Sequence, residues 1–249
     1  ANYIEKYSPE CINCDLDNFF DKEGLYTQAA HSQYKKTISS KEIIKKVLSS
    51  EFDSTRLPCH CSSAISMSIV KSIKLKTGRA CMQLNPDYTL AYQVCLNTTK
   101  VHNLDKALSI LRYPDLRTGY GNGYQEALKT KQAKIFMQEN LSWIDRTNKY
   151  EDVRIKGNHF GLDRILKDFY SILELYNLNP DEFLPKQQRY INYYYFTYLE
   201  FIFRVNMGAN MKYELSLWNA SLLNESVALQ KVISSMTKKL KFKIWLIKT

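Results

Sequence analysis

The sequence predicts a mainly helical α/β protein. Residues Ser63 to Lys76 place Ile65, Ile69, Ile73 and Leu75 near helical spacing, with Lys71, Lys74 and Lys76 largely off that face. Such a pattern makes an amphipathic helix. Beyond about Glu126 the chain is rich in good helix formers and in apolar residues at helical intervals. Composition agrees: 249 residues, 45% hydrophobic and 24% charged with only 8 Gly and 6 Pro, can bury a core and do not describe a disordered chain.

The first helix is expected to stop at Thr77-Gly78, because glycine takes the left-handed conformation that closes a helix. The chain then crosses to Asn85-Pro86-Asp87, and a second helix should run from about Thr89. Later helices are read at Glu126 to Leu141, at Asp163 to Tyr176 and at Gln187 to Val205, with Pro180 and Pro185 marking the turn between the last two. The third of these carries Tyr193, Tyr194, Tyr195, Phe196, Tyr198, Phe201 and Phe203. Aromatics on every side imply a helix that is largely enclosed or that meets a partner subunit.

The stretch from Pro58 to Tyr92 resembles the acceptor-side half of family 2 glycosyltransferases. Pro58, Ser62, Ser63, Gly78, Pro86, Asp87, Tyr88 and Thr89 fill the places of that family's Pro, Ser, isoleucine-rich helix, Gly and Pro-Asp pattern. Downstream, Ala107-Leu108-Ser109-Ile110 resembles the family's closing strand, and Thr118 to Gly123 its glycine-rich loop. The resemblance implies a partial GT-A domain over residues 1–125, followed by a helical C-terminal region over 126–249. The complete enzyme would transfer a sugar from a nucleotide-sugar donor to a hydroxyl on a glycan or lipid-linked acceptor. Inverting transfer needs a carboxylate beside that hydroxyl, and the resemblance gives the role of base to Asp87. His60, Ser62, Ser63 and Tyr88 would bind the acceptor, and Arg117 and Tyr120 would lie on the donor-side loop.

Each of these residues also has a plainer reading. Asp87 serves equally well as an N-cap, Ser62 and Ser63 as caps of the first helix, His60 as a surface or packing residue, and the glycines as a hinge. Ala1 to Arg56 show no series of short apolar strands alternating with helices, so the nucleotide-binding half is expected to be missing upstream and the chain alone to be inactive. Within that stretch, Asp15-Leu16-Asp17 has the form of an Asp-x-Asp metal pair. Cys11-Ile12-Asn13-Cys14 before it makes a poor buried strand, so a loop or helix start is expected, with Asp17 or Asn18 capping ahead of Phe19-Phe20. By the resemblance, Mn or Mg would belong to the complete enzyme, and no metal or other cofactor is expected on this chain. Cys11, Cys14, Cys59, His60 and Cys61 have poor spacing for a zinc site, and the cysteines among them read as unpaired thiols of a reducing cytoplasm, as do Cys81 and Cys95, which fall among apolar neighbours.

The net charge of +10 is spread along the chain, and no nucleic-acid-binding signature accompanies it, so nucleic acid is not expected as a partner. Residues 231–249 hold lysines and no acid, interleaved with Leu240, Phe242, Ile244, Trp245, Leu246 and Ile247. This tail suits either a terminal element docked on its own core or a peripheral contact with an anionic membrane. No run reaches the ~20 apolar residues of a membrane span and no signal-peptide core is seen, which makes a cytoplasmic location the expectation. The functional alternative to a transferase is a non-enzymatic helical protein that binds a partner or a membrane surface.

Overall fold

The computed structural model describes residues 2–20, 25–27, 37–51, 57–58, 62–81, 86–113, 131–139, 150, 162–206 and 210–248. In chain order these form α1 (Asn2–Tyr7), β1 (Cys11–Phe20), β2 (Leu25–Thr27), β3 (Thr37–Ser39), α2 (Ser40–Leu48), β4 (Ser63–Ile65), α3 (Met67–Thr77), α4 (Pro86–Asn97) and β5 (Lys100–Tyr113). Helices α5 (Lys131–Glu139) and α6 (Leu162–Leu175), a single 3-10 turn at Pro180–Glu182, and helices α7 (Lys186–Asn206), α8 (Lys212–Leu223) and α9 (Val227–Lys248) follow. The fold is thus mixed α/β with a small sheet. Two compact units divide the chain, one of Ala1–Val47, Phe52–Arg117 and Asp168–Asn179, the other of Leu48–Glu51, Thr118–Lys167 and Pro180–Thr249.

The first unit is built on a mixed sheet of order β2-β1-β5-β3. Strands β1 and β5 run parallel at its centre, with Ile12 opposite His102 and Phe20 opposite Tyr113. The far edge of β1 takes two short antiparallel strands, β4 along Cys11 to Asn13 and β2 along Asn18 to Phe20. On the other side β3 pairs antiparallel with β5, and only its central residue, Ile38, is buried. Register shifts fall on either side of Asp15. Such irregularities bend a strand and re-aim its side chains.

Three sequence expectations are corrected here. Cys11 to Asp17 is the first part of the central strand β1, and neither a loop nor a helix start. Cys11 and Ile12 are buried, and the polar Asn13 is accommodated because its Oδ1 accepts the hydroxyls of Ser62 at 3.0 Å and Ser63 at 3.1 Å. A buried amide with partners carries little penalty. Second, the N-terminal stretch judged to lack a strand series supplies β1, β2 and β3. Third, Ser63 to Ile65 is strand β4, and the helix begins at Met67.

Helix α3 otherwise follows its pattern. Ile69 and Ile73 are buried while Lys71, Lys74 and Lys76 are exposed; Leu75, assigned to the inner face, is 88% exposed. Gly78 closes the helix at φ +77, its N–H donating to Lys74 O at 2.9 Å. Helix α3 packs on α4, and polar pegs join them. Gln93 Nε2 donates to Ala80 O at 2.7 Å, Thr77 Oγ1 lies 2.9 Å from Gln93 Oε1, and Ser72 Oγ donates to Asn97 Oδ1 at 3.1 Å. Asn97 Nδ2 in turn donates to Tyr176 Oη at 2.7 Å. Burial pushes the Tyr176 phenol up, against the opposing effect of that bond. Near the other end of the sheet, Tyr3 of α1 lies 3.0 Å from Nδ1 of the buried His102.

In the second unit α7 is the organising helix. Tyr193, Tyr194, Thr197, Tyr198 and Phe201 are buried, a stripe at helical spacing, whereas Tyr195 and Phe196 are half-buried. The aromatics therefore share one buried face and do not enclose the helix evenly. Helices α8 and α9 both pack on α7. Trp218 of α8 sets its ring 5.1 Å from Tyr198 and donates its indole N–H to Tyr194 O at 3.0 Å. At the start of α7 the buried Arg189 donates to Asp181 Oδ1 at 2.7 Å, which ties the 3-10 turn to the helix.

Candidate functional site

Helix α4 is unusual in its surroundings. Every residue from Thr89 to Cys95 is buried, so no face of its middle meets solvent. Its sequence explains this, for Leu90, Ala91, Tyr92, Val94 and Cys95 are apolar all round the helix, and Gln93 has both amide groups satisfied. Only the two ends approach the surface. At the N-terminal end Pro86 is exposed, and Asp87 and Tyr88 are half-buried.

That first turn is well determined. Proline suits the first helical position because its ring fixes φ and its missing N–H would have had no partner there. Asp87 follows directly, inside the helix, and so does not stand at the capping position expected of it. Its carboxylate sits where the unpaired N–H groups of the helix concentrate positive potential. Thr89 Oγ1 donates to Pro86 O at 3.3 Å and steadies the turn. The Tyr88 ring lies 6.3 Å from that of the buried Tyr92, which rests 4.7 Å from Phe169 of α6. Tyr88 is thereby the half-exposed end of an aromatic row running into the core.

Ser62 and Ser63 sit elsewhere, in the turn before β4 and at its first residue, and not at the cap of α3, whose capping position is Ser66. Ser62 is buried, and both hydroxyls are engaged by Asn13. Cys14 completes the junction, its N–H donating to Ser62 O at 2.8 Å and its thiol to the same oxygen at 3.0 Å. Asn13 is the residue that sequence reasoning missed, since the serines that satisfy it lie 49 and 50 positions away.

His60, Arg117 and Tyr120 lie outside the described residues, as do Cys59, Cys61 and the glycine-rich loop. Strand β5 contains Ala107 to Ile110. None of Cys11, Cys14, Cys81 and Cys95 is in a disulfide. Cys11 and Cys95 are buried, and burial, with Glu10 adding to it, pushes the Cys11 thiol up to about 12. Cys81 is exposed, contrary to the apolar surroundings expected for it. Among the described residues no group of three or more His, Cys, Asp or Glu side chains is arranged to hold a metal ion, and no helix is long and apolar enough to cross a membrane. No protein-family model matches the sequence, and no curated protein or solved structure matches it.

Proposed function

We propose that this chain carries the acceptor side of a glycosyltransferase, with Asp87 as the base. The supporting observation is the placement of Asp87 in the first turn of a helix whose middle, Thr89 to Cys95, is buried on all sides. A helix so enclosed fixes the backbone from which the Asp87 side chain projects, as a positioned base requires. The acceptor hydroxyl would give its proton to Asp87 as its oxygen attacks the anomeric carbon. The bond to the nucleoside diphosphate breaks, and its electrons leave with the diphosphate oxygen. Tyr88 offers a ring face beside the base for a sugar or other ring-shaped acceptor.

A closing strand is also expected by the resemblance, and β5 runs through the residues that carry it. Ligands of open parallel sheets gather beyond the carboxyl ends of their strands, which for β5 is the end leading towards Arg117 and Tyr120. Mn or Mg stays assigned to the complete enzyme. Asp15 and Asp17 lie on β1, but their side chains are outside the described part of the structure, and no step is derived through a metal.

The test is release of nucleoside diphosphate from a panel of nucleotide sugars, with hydroxyl acceptors present, by the complete enzyme and its Asp87→Asn variant. The substitution is expected to lower kcat by roughly 10²- to 10⁴-fold and to leave KM for the donor and the circular dichroism spectrum near those of the parent. Near-normal kcat would remove Asp87 from the role of base. Lack of turnover by every length variant would favour the helical binding protein instead.

A further inference from the structure

Helix α3 presents two different surfaces. Ile69 and Ile73 are buried on the side packed against α4. On a helical wheel the outer side runs Lys74, Met67, Lys71, Leu75 and Ser68 within an arc of about 120°. All five are exposed, Met67 to 65% and Leu75 to 88%. The helix contains no acid, and the exposed Arg79 follows its glycine cap. Lysines near a helix C-terminus are ordinary, since they complement the dipole and are usually just solvated. What solvation does not explain is a pair of large apolar side chains interleaved with those lysines on the outermost face.

We infer that the outer face of α3 is a docking surface for an anionic phospholipid bilayer. Lysine stems run along apolar surface while their ammonium groups stay at the headgroups, and Leu75 and Met67 between them reach the acyl boundary. The charge complementarity selects this occupant, because a face of cationic and apolar side chains without an acid lacks the mixed polarity of a protein rim. The inference does not depend on the transferase reading, nor on the tail at residues 231–249.

Sedimentation of the full chain with vesicles tests it, comparing phosphatidylcholine containing phosphatidylglycerol with phosphatidylcholine alone. The parent is expected to bind the anionic vesicles, and less so as salt is raised. Lys71→Gln with Lys74→Gln should weaken that binding about 25-fold, at roughly fivefold per lysine. Leu75→Ser should weaken it about tenfold at unchanged charge. Lys231→Gln with Lys238→Gln removes the same charge from the exposed part of α9 and should change binding much less. All five substitutions are at exposed positions, and circular dichroism checks that each variant is folded. The proposal is overturned if the parent ignores anionic vesicles, if the α9 pair weakens binding as much as the α3 pair, or if Leu75→Ser leaves binding unchanged. It is likewise overturned if Leu75→Ser abolishes a vesicle-independent self-association, which would give the face to a second copy.

Discussion

At the scale of single residues, a few positions combine backbone and hydrogen-bond constraints that can be measured separately. Gly78 has φ +77, and a Cβ there would meet nothing within 4 Å. Gly78→Ala should therefore cost only the conformational penalty, about 1 kcal/mol, read as a lower urea midpoint with an unchanged slope. Asn97 shows the opposite case, a side chain with partners at both ends: it receives Ser72 and donates to Tyr176. Asn97→Ala should cost about 1 kcal/mol, because half-buried polar groups lose their partners. It should also move the Tyr176 phenol further up, since the lost bond opposes the effect of burial, and ¹³C-tyrosine NMR would follow that shift. The glycine cap was legible because one residue type dominates that conformation. Asn13 was not legible, since nothing local announces a buried amide whose partners arrive from β4.

At the scale of elements, legibility followed the range of the stabilising contacts. Helices α3 and α7 declare themselves through apolar residues at helical intervals, and their ends through Gly78 and Pro185. Strand β1 hides, because its sequence mixes cysteine, asparagine and aspartate and becomes a strand only by pairing with β5, β4 and β2. Strand β4 hides for the same reason, three residues that continue a helical pattern but pair with β1. Asp87 was named from the sequence, but the burial of the middle of α4 on all sides, which fixes its turn, needed the tertiary structure. Packing of α3 on α4 should be sensitive to the fully buried Ile73. Ile73→Ala is expected to cost about 3 kcal/mol in the urea transition. In the other unit Trp218→Ala removes ring contacts and the indole bond to α7, and about 3–5 kcal/mol is expected by the same measurement.

For the molecule as a whole, buried titratable groups set a pH window of stability. The His102 imidazole is held below its ordinary value of 6.5, by burial first and by Lys100 second. The native state binds that proton less well than the unfolded chain, so this contribution is complete above pH 6.5 and is lost as pH falls. Cys11 behaves in the reverse sense. Its thiol is raised from 9.0 to about 12, so the native state keeps a proton that the unfolded chain releases, and stability falls as pH rises from 9 towards 12. Urea midpoints should form a plateau between these limits. His102→Gln should flatten the acid side and Cys11→Ala the alkaline side, each at the expense of a lower plateau. The central strand pair has one more consequence, which concerns time. Tyr3 and His102 meet across 99 positions, and β1 takes its parallel partner from β5, beyond α2, α3 and α4. During synthesis β1 emerges well before β5 and must wait for it before its long edge can pair. Until then its backbone N–H and C=O groups form an open template, so refolding yield should fall steeply with protein concentration, while the two helices of the α3–α4 pair can form beforehand.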